Sequence, residues 1–310
     1  MEFFTPEKRF ESALYGVSQS VARVLFCLDS SVKARVQEIR LRAEKPLALT
    51  IDNDCFYVTK AAQIVQKPND SLFTVKSLFV QESFKQLIRG SVYSHLNEIK
   101  EGYIMMRHGH RAGICGSFTK SGNMSNISSV NIRISREIFG AADELLKVYC
   151  GGGILIAGPP GSGKTTVLRD FIRQVSSGKT GIAKRVCVVD TRGEISASYL
   201  GESFNDLGEN TDVLVGYEKK DGFVMAIRTM FPQMVAFDEF GTTEELEGIA
   251  EGFLSGVDVA LTAHISSQED LMKRDNTRRL LLSGAINTVA ILGGFPFKNI
   301  IVKKVSEVVG

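Results

Sequence analysis

The sequence predicts an α/β protein in two parts, with a smaller N-terminal α+β domain and a larger domain built on a parallel sheet. The main observation is that near-continuous apolar strands alternate with amphipathic helices after residue 153. A second observation is the length of 310 residues, 44% of them hydrophobic, which is enough for two cores. We expect an N-terminal domain at residues 1–140, a glycine-containing linker at 141–153 and the larger domain at 154–310.

The N-terminal half mixes helix and strand patterns. Residues 1–30 carry an apolar stripe at helical spacing. Glu38–Ile51 alternates apolar and charged residues, as a half-buried strand does, with a turn at Lys45–Pro46. A helix is predicted from Val80 to Arg89, and short strands separated by glycine turns are predicted between residues 102 and 138. These elements together predict the α+β domain.

The larger domain shows a regular alternation of elements. Its predicted strands read GILIAG, RVCVVD, MVAFDE and DVALTAH. The helices between them read TTVLRDFIRQVS, DGFVMAIRTM and TTEELEGIAEGFLSG. Strands that are apolar throughout indicate a parallel sheet covered by helices on both faces.

Composition excludes several classes of protein. A net charge of +2 gives no argument for a nucleic-acid partner. Five scattered cysteines without a CxxC pair are typical of reduced thiols in a cytosolic protein. No apolar run approaches the ~18 residues of a membrane span, and the acidic N-terminal segment does not predict a signal peptide. We therefore expect a cytoplasmic protein that works at a membrane only through partners.

A glycine-rich segment predicts a phosphate-binding loop. It fits the pattern GxxxxGK[ST] between a predicted strand and a predicted helix. Its glycines let backbone N–H groups turn toward phosphate oxygens, and the helix N-terminus adds positive charge. Lys164 would reach the β- and γ-phosphates of ATP, and the Thr165 hydroxyl would bind Mg²⁺. The predicted nucleotide-binding residues are Gly158, Pro159, Pro160, Gly161, Ser162, Gly163, Lys164, Thr165 and Thr166.

Two carboxylates at the end of the strand MVAFDE predict hydrolysis as well as binding. Asp238 would act on Mg²⁺ through its water shell, and Glu239 would orient or activate the attacking water. The remaining open interpretation is a strand that ends in two solvated acids.

Two further strands end in polar residues. Asp190 to Glu194 follow RVCVVD, and Glu194 would reach the water or the metal shell, while Arg192 would pair with phosphate or a neighbouring subunit. His264 ends DVALTAH, where it would sense the γ-phosphate or couple strands. Carboxyl ends of parallel strands meet at one edge of the sheet, so we expect these side chains near Lys164. A mixed-charge surface loop and a structural histidine stay open as alternatives.

The order of these motifs resembles the type II/IV secretion and pilus ATPase superfamily, and within it the sporulation branch. The motifs are GPPGSGKTT, VVDTRGEI, MVAFDE and TAH, with the N-terminal pieces EIRLRAEKPL, GHRAGICGSF and NIRISREI. The resemblance implies a RecA-like P-loop ATPase domain, a homo-hexameric ring, and nucleotide bound between the two domains near a neighbouring subunit.

The resemblance also implies a biological setting. The protein would be a motor at the cytosolic face of the membrane of a spore-forming bacterium, powering a channel complex between mother cell and forespore. Its partners would be membrane proteins of that complex, including a subunit like the secretion platform, and no nucleic acid is expected.

Residue roles carry over at matching positions. The resemblance assigns catalysis to Lys164, Glu194, Glu239, His264 and Arg228, metal binding to Thr165 and Asp238, and nucleotide contacts to Arg111 and Arg133 in the N-terminal domain. The sequence departs from the family at Thr191 and at Pro232–Gln233. An arginine from another domain or subunit can stabilise charge on the γ-phosphate. The candidates for this arginine are Arg111, Arg133, Arg136, Arg192 and Arg228.

Two other functions are compatible with the same core. A RecA-type ATPase acting on nucleic acid would need a basic groove with aromatic side chains or an added module. A non-catalytic scaffold would use ATP only to close a ring, but the pair Asp238 and Glu239 argues against it.

Overall fold

The computed structural model describes residues 5–88, 95, 99–118, 124–179, 181–199, 201–265, 267–294 and 300–309. The chain divides into two compact units. The first unit contains residues 1–136 and 197–204, and the second contains 137–196 and 205–310.

The first unit combines helices with a seven-stranded antiparallel sheet of order β5-β4-β3-β1-β9-β8-β7. The helices are α1 (Pro6–Ala13), α2 (Gln19–Phe26), α3 (Ser30–Lys33) and α4 (Ser77–Leu87). The strands are β1 (Val36–Arg42), β2 (Lys45–Pro46), β3 (Ala48–Ile51), β4 (Asp54–Val58), β5 (Ile64–Val65), β6 (Thr74–Val75), β7 (Tyr103–Met105), β8 (Arg111–Phe118) and β9 (Met124–Arg133).

Side chains along β1 alternate between the core and the opposite face of the sheet, as the sequence predicts for a half-buried strand. Ile39 and Leu41 are fully buried in the core, whereas Arg40 and Arg42 on the opposite face are exposed.

Three boundaries in the first unit differ from the sequence-based expectation. The turn after β1 lies at Ala43–Glu44, not at Lys45–Pro46, because Lys45–Pro46 pairs as β2 with β6. The predicted N-terminal helical stretch is interrupted by an extended residue, Val17, between a short 3₁₀ turn and α2. Helix α4 begins earlier than predicted, at Ser77, and the predicted end at Arg89 lies outside the described residues.

Residues 197–204 belong to the first unit although the second unit's chain flanks them on both sides. The ring of Phe204 lies 4.5 Å from that of His108, centroid to centroid, in an edge-on arrangement. Glu202 lies 3.2 Å from the guanidinium of Arg107. These contacts attach the segment to the turn that precedes β8.

The second unit is an α/β layer structure around a seven-stranded sheet of order β12-β11-β13-β14-β10-β15-β16. Its strands are β10 (Ile154–Gly158), β11 (Val186–Asp190), β12 (Thr211–Val215), β13 (Met234–Phe237), β14 (Asp258–His264), β15 (Thr288–Leu292) and β16 (Ile300–Lys304). The helices are α5 (Asp143–Leu146), α6 (Lys164–Ser176), α7 (Lys219–Thr229), α8 (Thr243–Leu254), α9 (Gln268–Lys273), α10 (Asp275–Leu282) and α11 (Ser306–Val309).

All neighbouring strands of this sheet run parallel except β16, which pairs antiparallel with β15. Two separate apolar clusters cover the sheet, one against each face. The parallel sheet with helices on both faces is therefore confirmed.

The segment predicted as a linker packs inside the second unit. Ala142 and Leu145 are fully buried in one of its two cores. The backbone N–H of Ala142 donates a 2.9 Å hydrogen bond to the buried carboxylate of Asp170 on α6. Residues 141–153 thus pack within the second unit because an apolar pair and a buried carboxylate fix them there. Division into two independently folding domains stays a prediction.

Candidate active site

The loop between β10 and α6 has the backbone that a phosphate-binding loop needs. Gly161 and Gly163 have φ of 72° and 90°, a left-handed conformation that glycine adopts without a steric penalty. A Cβ added at Gly158 would lie 2.5 Å from the Ser162 hydroxyl. That hydroxyl is buried without a hydrogen-bond partner among the described residues. The glycines and the unused hydroxyl fit a loop that closes around a polyanion.

Lys164 begins α6, and its side chain turns back over the loop. The residue is 5% exposed, and its Nζ donates to the Pro159 carbonyl at 2.9 Å. Burial lowers the pKa of Lys164, while the nearby carboxylates of Asp238 and Glu239 partly oppose that change. A buried ammonium is only partly hydrated. A phosphate oxygen that binds it would therefore replace the missing water contacts with a favourable charge interaction.

A hydrogen-bonded chain connects Lys164 to Glu239. Lys164 Nζ lies 3.1 Å from His264 Nδ1, and His264 Nε2 lies 3.2 Å from Glu239 Oε1. An ammonium can only donate, so Nδ1 accepts and Nε2 carries the ring proton that points at Glu239. His264 therefore links the phosphate-binding loop to the end of β13.

Asp238 is held by two hydroxyls. Thr165 Oγ1 donates to Asp238 Oδ2 at 2.5 Å, and Thr262 Oγ1 donates to Asp238 Oδ1. One threonine hydroxyl beside one carboxylate matches the way Mg²⁺ is bound with substrate phosphates, through few protein ligands and retained waters. Thr165 and Asp238 are thus the residues that fit Mg²⁺.

Glu239 lies at the rim of the site, and its side chain is 44% exposed. The hydrogen bond from His264 lowers the pKa of Glu239, and the charges of Arg192 and Lys219 act in the same direction. Arg192 Nη1 is 3.6 Å from Glu239 Oε2. An ionised carboxylate in this position can accept a hydrogen bond from a water molecule and orient it.

A cavity of about 330 Å³ adjoins Glu239 within the second unit. Its lining includes Glu194, Lys219, Asp238, Glu239 and Glu245. Asp190 also lines the cavity, and its buried carboxylate accepts from the Glu194 N–H at 2.9 Å and the Ser196 N–H at 2.8 Å. Asp190 therefore shapes the turn that carries Glu194 into the cavity lining.

The structure brings most of the predicted residues of the second unit to one edge of the sheet. Those collected at the carboxyl ends of β10, β11, β13 and β14, or on the loops that follow, are Lys164, Thr165, Arg192, Glu194, Asp238, Glu239 and His264. Arg228 is not among them. It is exposed in the last turn of α7, about 13 Å along the helix from the cavity-lining Lys219. The catalytic role predicted for Arg228, whether in its own subunit or toward a neighbouring one, stays a prediction.

The other predicted arginines belong to the first unit. Arg111 and Arg133 are directly opposite each other on β8 and β9. The Arg111 guanidinium stacks 3.7 Å from the Tyr103 ring centroid, and Arg133 Nε is 3.6 Å from Glu38 Oε1. Arg136 donates to the Arg35 and Val36 carbonyls, which is a structural contact.

Sequence reasoning missed three residues that the fold brings to this site. Lys219 lines the cavity, Thr262 binds Asp238, and Glu245 accepts from the N–H groups of residues 241 and 242. Glu245 could have been found from the sequence, because Thr242 and Glu245 have the spacing of a capping box. The structure contains this capping box. Thr262 is the first residue of the TAH motif, although only His264 of that motif was given a role, and Lys219 belongs to no motif.

A RecA-like P-loop fold with acidic strand ends is the architecture of the secretion and pilus ATPases. The chain is similar to the solved pilus retraction motor PilT with bound ADP, with a TM-score of 0.55, 15% identity, and coverage of 86% of this chain and 77% of that one. It is also similar to the ATPase DotB of Yersinia pseudotuberculosis, with a TM-score of 0.54, 14% identity, and coverage of 86% and 74%. At this identity the likeness shows the fold.

The sequence comparison identifies the family. The family model for sporulation stage III, protein AA, matches residues 8–295, and the chain belongs to that family. Stage III sporulation protein AA of Bacillus subtilis (strain 168) is 34% identical over 253 residues, covering 79% of this chain and 78% of that protein. The predicted resemblance and fold class are confirmed.

No helix in the described ranges is long and apolar enough to cross a membrane. The same ranges contain no group of three or more His, Cys, Asp or Glu side chains arranged around a shared metal position.

Proposed function

We propose that this sporulation stage III protein is an ATPase of the secretion-motor class that hydrolyses ATP with Mg²⁺. The observation that carries the proposal is the linked set Lys164–His264–Glu239, with Thr165 and Asp238 beside it, at the mouth of a glycine-rich loop. PilT, which shares the fold, is named as a motor and was solved with ADP.

Each residue has a separate task in this reaction. The loop N–H groups and Lys164 bind the β- and γ-phosphates. Thr165 and Asp238 hold Mg²⁺, which when bound neutralises charge on the phosphate oxygens. Glu239 orients the attacking water, and its lowered pKa keeps it ionised but makes it a weak base. Glu194 completes the polar wall around that water.

Motion of Lys164 would connect binding to this chemistry. Its Nζ donates to Pro159 O and lies beside His264 Nδ1. A γ-phosphate would compete for the same ammonium, and His264 would then be free to follow the phosphate or to turn further toward Glu239. This makes His264 the residue that reports the state of the nucleotide to the end of β13.

We further propose a homo-hexameric ring in which an arginine is supplied by a neighbouring subunit. The cross-strand pair Arg111 and Arg133 and the exposed Arg192 are the candidates, and an arginine supplied in trans contributes roughly 10³–10⁵ in rate. The ring would power a sporulation channel complex between mother cell and forespore, at the cytosolic face of the membrane. Its partners would be membrane proteins, including a secretion-platform-like subunit, and no nucleic acid.

The substitution Glu239→Gln tests the hydrolytic part directly. The amide keeps the shape of the side chain and loses the charge that orients water, so ATP binding should be retained while steady-state phosphate release falls by ~10²-fold or more. The matched control is Glu247→Gln on α8, whose carboxylate is exposed and 3.8 Å from Lys220. Unchanged phosphate release in Glu239→Gln would remove Glu239 from catalysis.

A further inference from the structure

The backbone of Glu239 has an unusual conformation. Its φ is +59°, in the left-handed region that residues with a Cβ rarely adopt. Such a conformation persists only where the surrounding structure holds it, and it occurs preferentially at functional sites. The contacts around this residue therefore indicate how the strain is maintained.

Side chains from two other elements hold the two sides of this residue. The Glu239 N–H donates to Thr262 Oγ1 at 2.9 Å, and it also lies 3.1 Å from Asp238 Oδ1. The Glu239 carbonyl accepts from Lys219 Nζ at 2.5 Å. Thr262 is fully buried on β14, the strand beside β13, and Lys219 is the first residue of α7.

The Lys219 contact is itself supported. Its Nζ is 3.2 Å from Glu245 Oε1, and the Lys219 and Glu245 side chains are only 22% and 9% exposed. Glu245 Oε2 accepts from the Gly241 N–H at 2.8 Å and from the Thr242 N–H at 3.2 Å. One lysine and one glutamate thus fix the course of residues 239–242.

We propose that Thr262 and Lys219 are positioning residues that form a two-sided brace on the Glu239 backbone. The brace holds the left-handed conformation in which the carboxylate meets His264 Nε2. Neither residue needs to touch the nucleotide. Lys219 acts through Glu239, and Thr262 acts through Glu239 and through its hydrogen bond to Asp238. The catalytic consequence rests on the proposed ATPase function, whereas the brace itself is a property of the polypeptide without ligand.

The hydrogen bond from the Glu239 N–H to Thr262 is tested by two substitutions. Thr262→Val removes the hydroxyl at nearly constant volume, and Thr262→Ser keeps a hydroxyl at this position. Displacement of Glu239 should lower kcat by ~10- to 100-fold in Thr262→Val. KM for ATP with Mg²⁺ should rise as well in Thr262→Val, because the lost hydroxyl also holds Asp238, and the Lys219 variants, which leave that hydrogen bond in place, separate the effect on Glu239 from the effect on Asp238. Thr262→Ser should recover most of the turnover. Thr288→Val, at a buried threonine on β15, is the control for loss of a hydroxyl in the same sheet.

The hydrogen bond from Lys219 to the Glu239 carbonyl is tested in the same way by Lys219→Met and Lys219→Arg. Methionine keeps the apolar stem without the donor, so kcat should fall by ~10-fold or more while KM is retained. Arginine supplies a donor and should restore part of the rate. Lys220→Met is the matched control, because Lys220 is the next residue, half exposed, and faces Glu247 at 3.8 Å.

A measurement without ATP tests the brace separately. Amide hydrogen exchange of the peptide containing residues 238–242 should be faster in Thr262→Val than in wild type by ~10-fold or more, with exchange in β10 and β15 unchanged. Unchanged exchange, or faster exchange with full turnover, would overturn the brace. Absence of hydrolysis in assembled wild-type protein would instead overturn the proposed function and the catalytic consequence of the brace.

Discussion

Glu239 illustrates a compromise at the scale of single residues. Its contact with His264 lowers the pKa of the carboxyl, which secures the ionised form but weakens it as a base. The expected role is therefore to orient a water molecule while Lys164, Mg²⁺ and an arginine stabilise the transferred phosphoryl group.

Removal of His264 should move the pH profile of turnover. Glu239 must be ionised to orient water, so activity is lost as pH falls through its pKa. His264→Ala removes the largest contribution that lowers this pKa, and the acidic limb of kcat against pH should therefore shift to higher pH, together with a lower maximum. His95→Ala, at a histidine of the first unit, is the control. An acidic limb that stays in place would contradict the assigned contact.

His110 should make the first unit sensitive to acid. It is fully buried, with Nδ1 accepting from the Ser135 N–H at 3.0 Å and Nε2 beside the Ser12 hydroxyl at 2.7 Å. Burial, as the main cause, lowers the pKa of His110 to about 3.

The sign of this effect follows from proton uptake on unfolding. Between an unfolded pKa near 6.5 and a folded pKa of about 3, the unfolded state binds more protons, so stability is full above 6.5 and falls by up to about 1.4 kcal/mol per pH unit below it. Hydrogen exchange in α1 and β8 between pH 4 and 7 should reveal this slope, and His110→Gln should flatten it. An identical slope in the variant would exclude His110 as its source.

The residues that could be predicted are those whose role is written in a local motif. Lys164 and Thr165 follow a glycine pattern, and Asp238 and Glu239 end an apolar strand, so their meeting follows from parallel strands alone. Lys219 and Thr262 act through the pairing of β13 with β14 and the entry of α7, which one sequence does not specify. The distance of Arg228 from this edge depends on which end of α7 faces the site, and one sequence does not specify that.

At the scale of elements, α6 does more than present Lys164. Its Asp170 accepts from the Ala142 N–H, from Gln174 Nε2 and from the guanidinium of Arg173, with the closest Arg173 contact at 2.6 Å. Asp170 and Arg173 are 3% and 9% exposed. This buried cluster fixes α5 against the phosphate-loop helix.

Neutralising Asp170 should therefore destabilise the second unit. Asp170→Asn leaves the guanidinium of Arg173 buried without its counter-charge, which should lower the free energy of unfolding by ~3 kcal/mol. Urea unfolding measures the change. Glu144→Gln provides the comparison, since its ion pair with Lys147 is exposed and should be worth less than about 1 kcal/mol. Equal effects of the two substitutions would argue against a buried network.

At this scale, long patterns of alternating strands and helices could be predicted from the sequence, whereas short segments between elements could not. The alternation of apolar strands and helices after Gly153 predicted the parallel sheet, because burial on both faces requires continuous apolar strands. The sequence predicts a turn at Lys45–Pro46, where the structure has a strand, since proline is typical of turns and the pairing with β6 is set by residues far along the chain.

At the scale of the whole molecule, the proposed ring makes a prediction about mass. Addition of ATP and Mg²⁺ to the 34.0 kDa chain should shift the mass measured by light scattering toward six copies, and specific activity should rise with protein concentration. A constant mass of one chain well above micromolar concentration, with or without nucleotide, would contradict the ring.

Mixing two inactive variants shows whether the catalytic arginine comes from a neighbouring subunit or from the same subunit. Arg133→Ala should lower turnover by a larger factor than ATP affinity, because the arginine would act most strongly on the charge that develops on the transferred phosphoryl group. Inactive Arg133→Ala and Glu239→Gln chains, when mixed, should recover part of the activity. No recovery at any ratio would argue for action within one subunit.

A salt-dependent affinity for single-stranded DNA, together with turnover stimulated by that DNA, would instead favour the alternative function of an ATPase acting on nucleic acid.

The path of residues 197–204 has a consequence for dissecting this protein. The polypeptide passes between the two units three times, after residues 136, 196 and 204, so a single protease cut after residue 136 releases residues 1–136 but leaves residues 197–204 of the same unit attached to the second unit. A fragment ending at residue 136 would also lack the partners of His108 and Arg107 in Phe204 and Glu202. Excising the N-terminal unit cleanly would require grafting that eight-residue piece back by a designed linker.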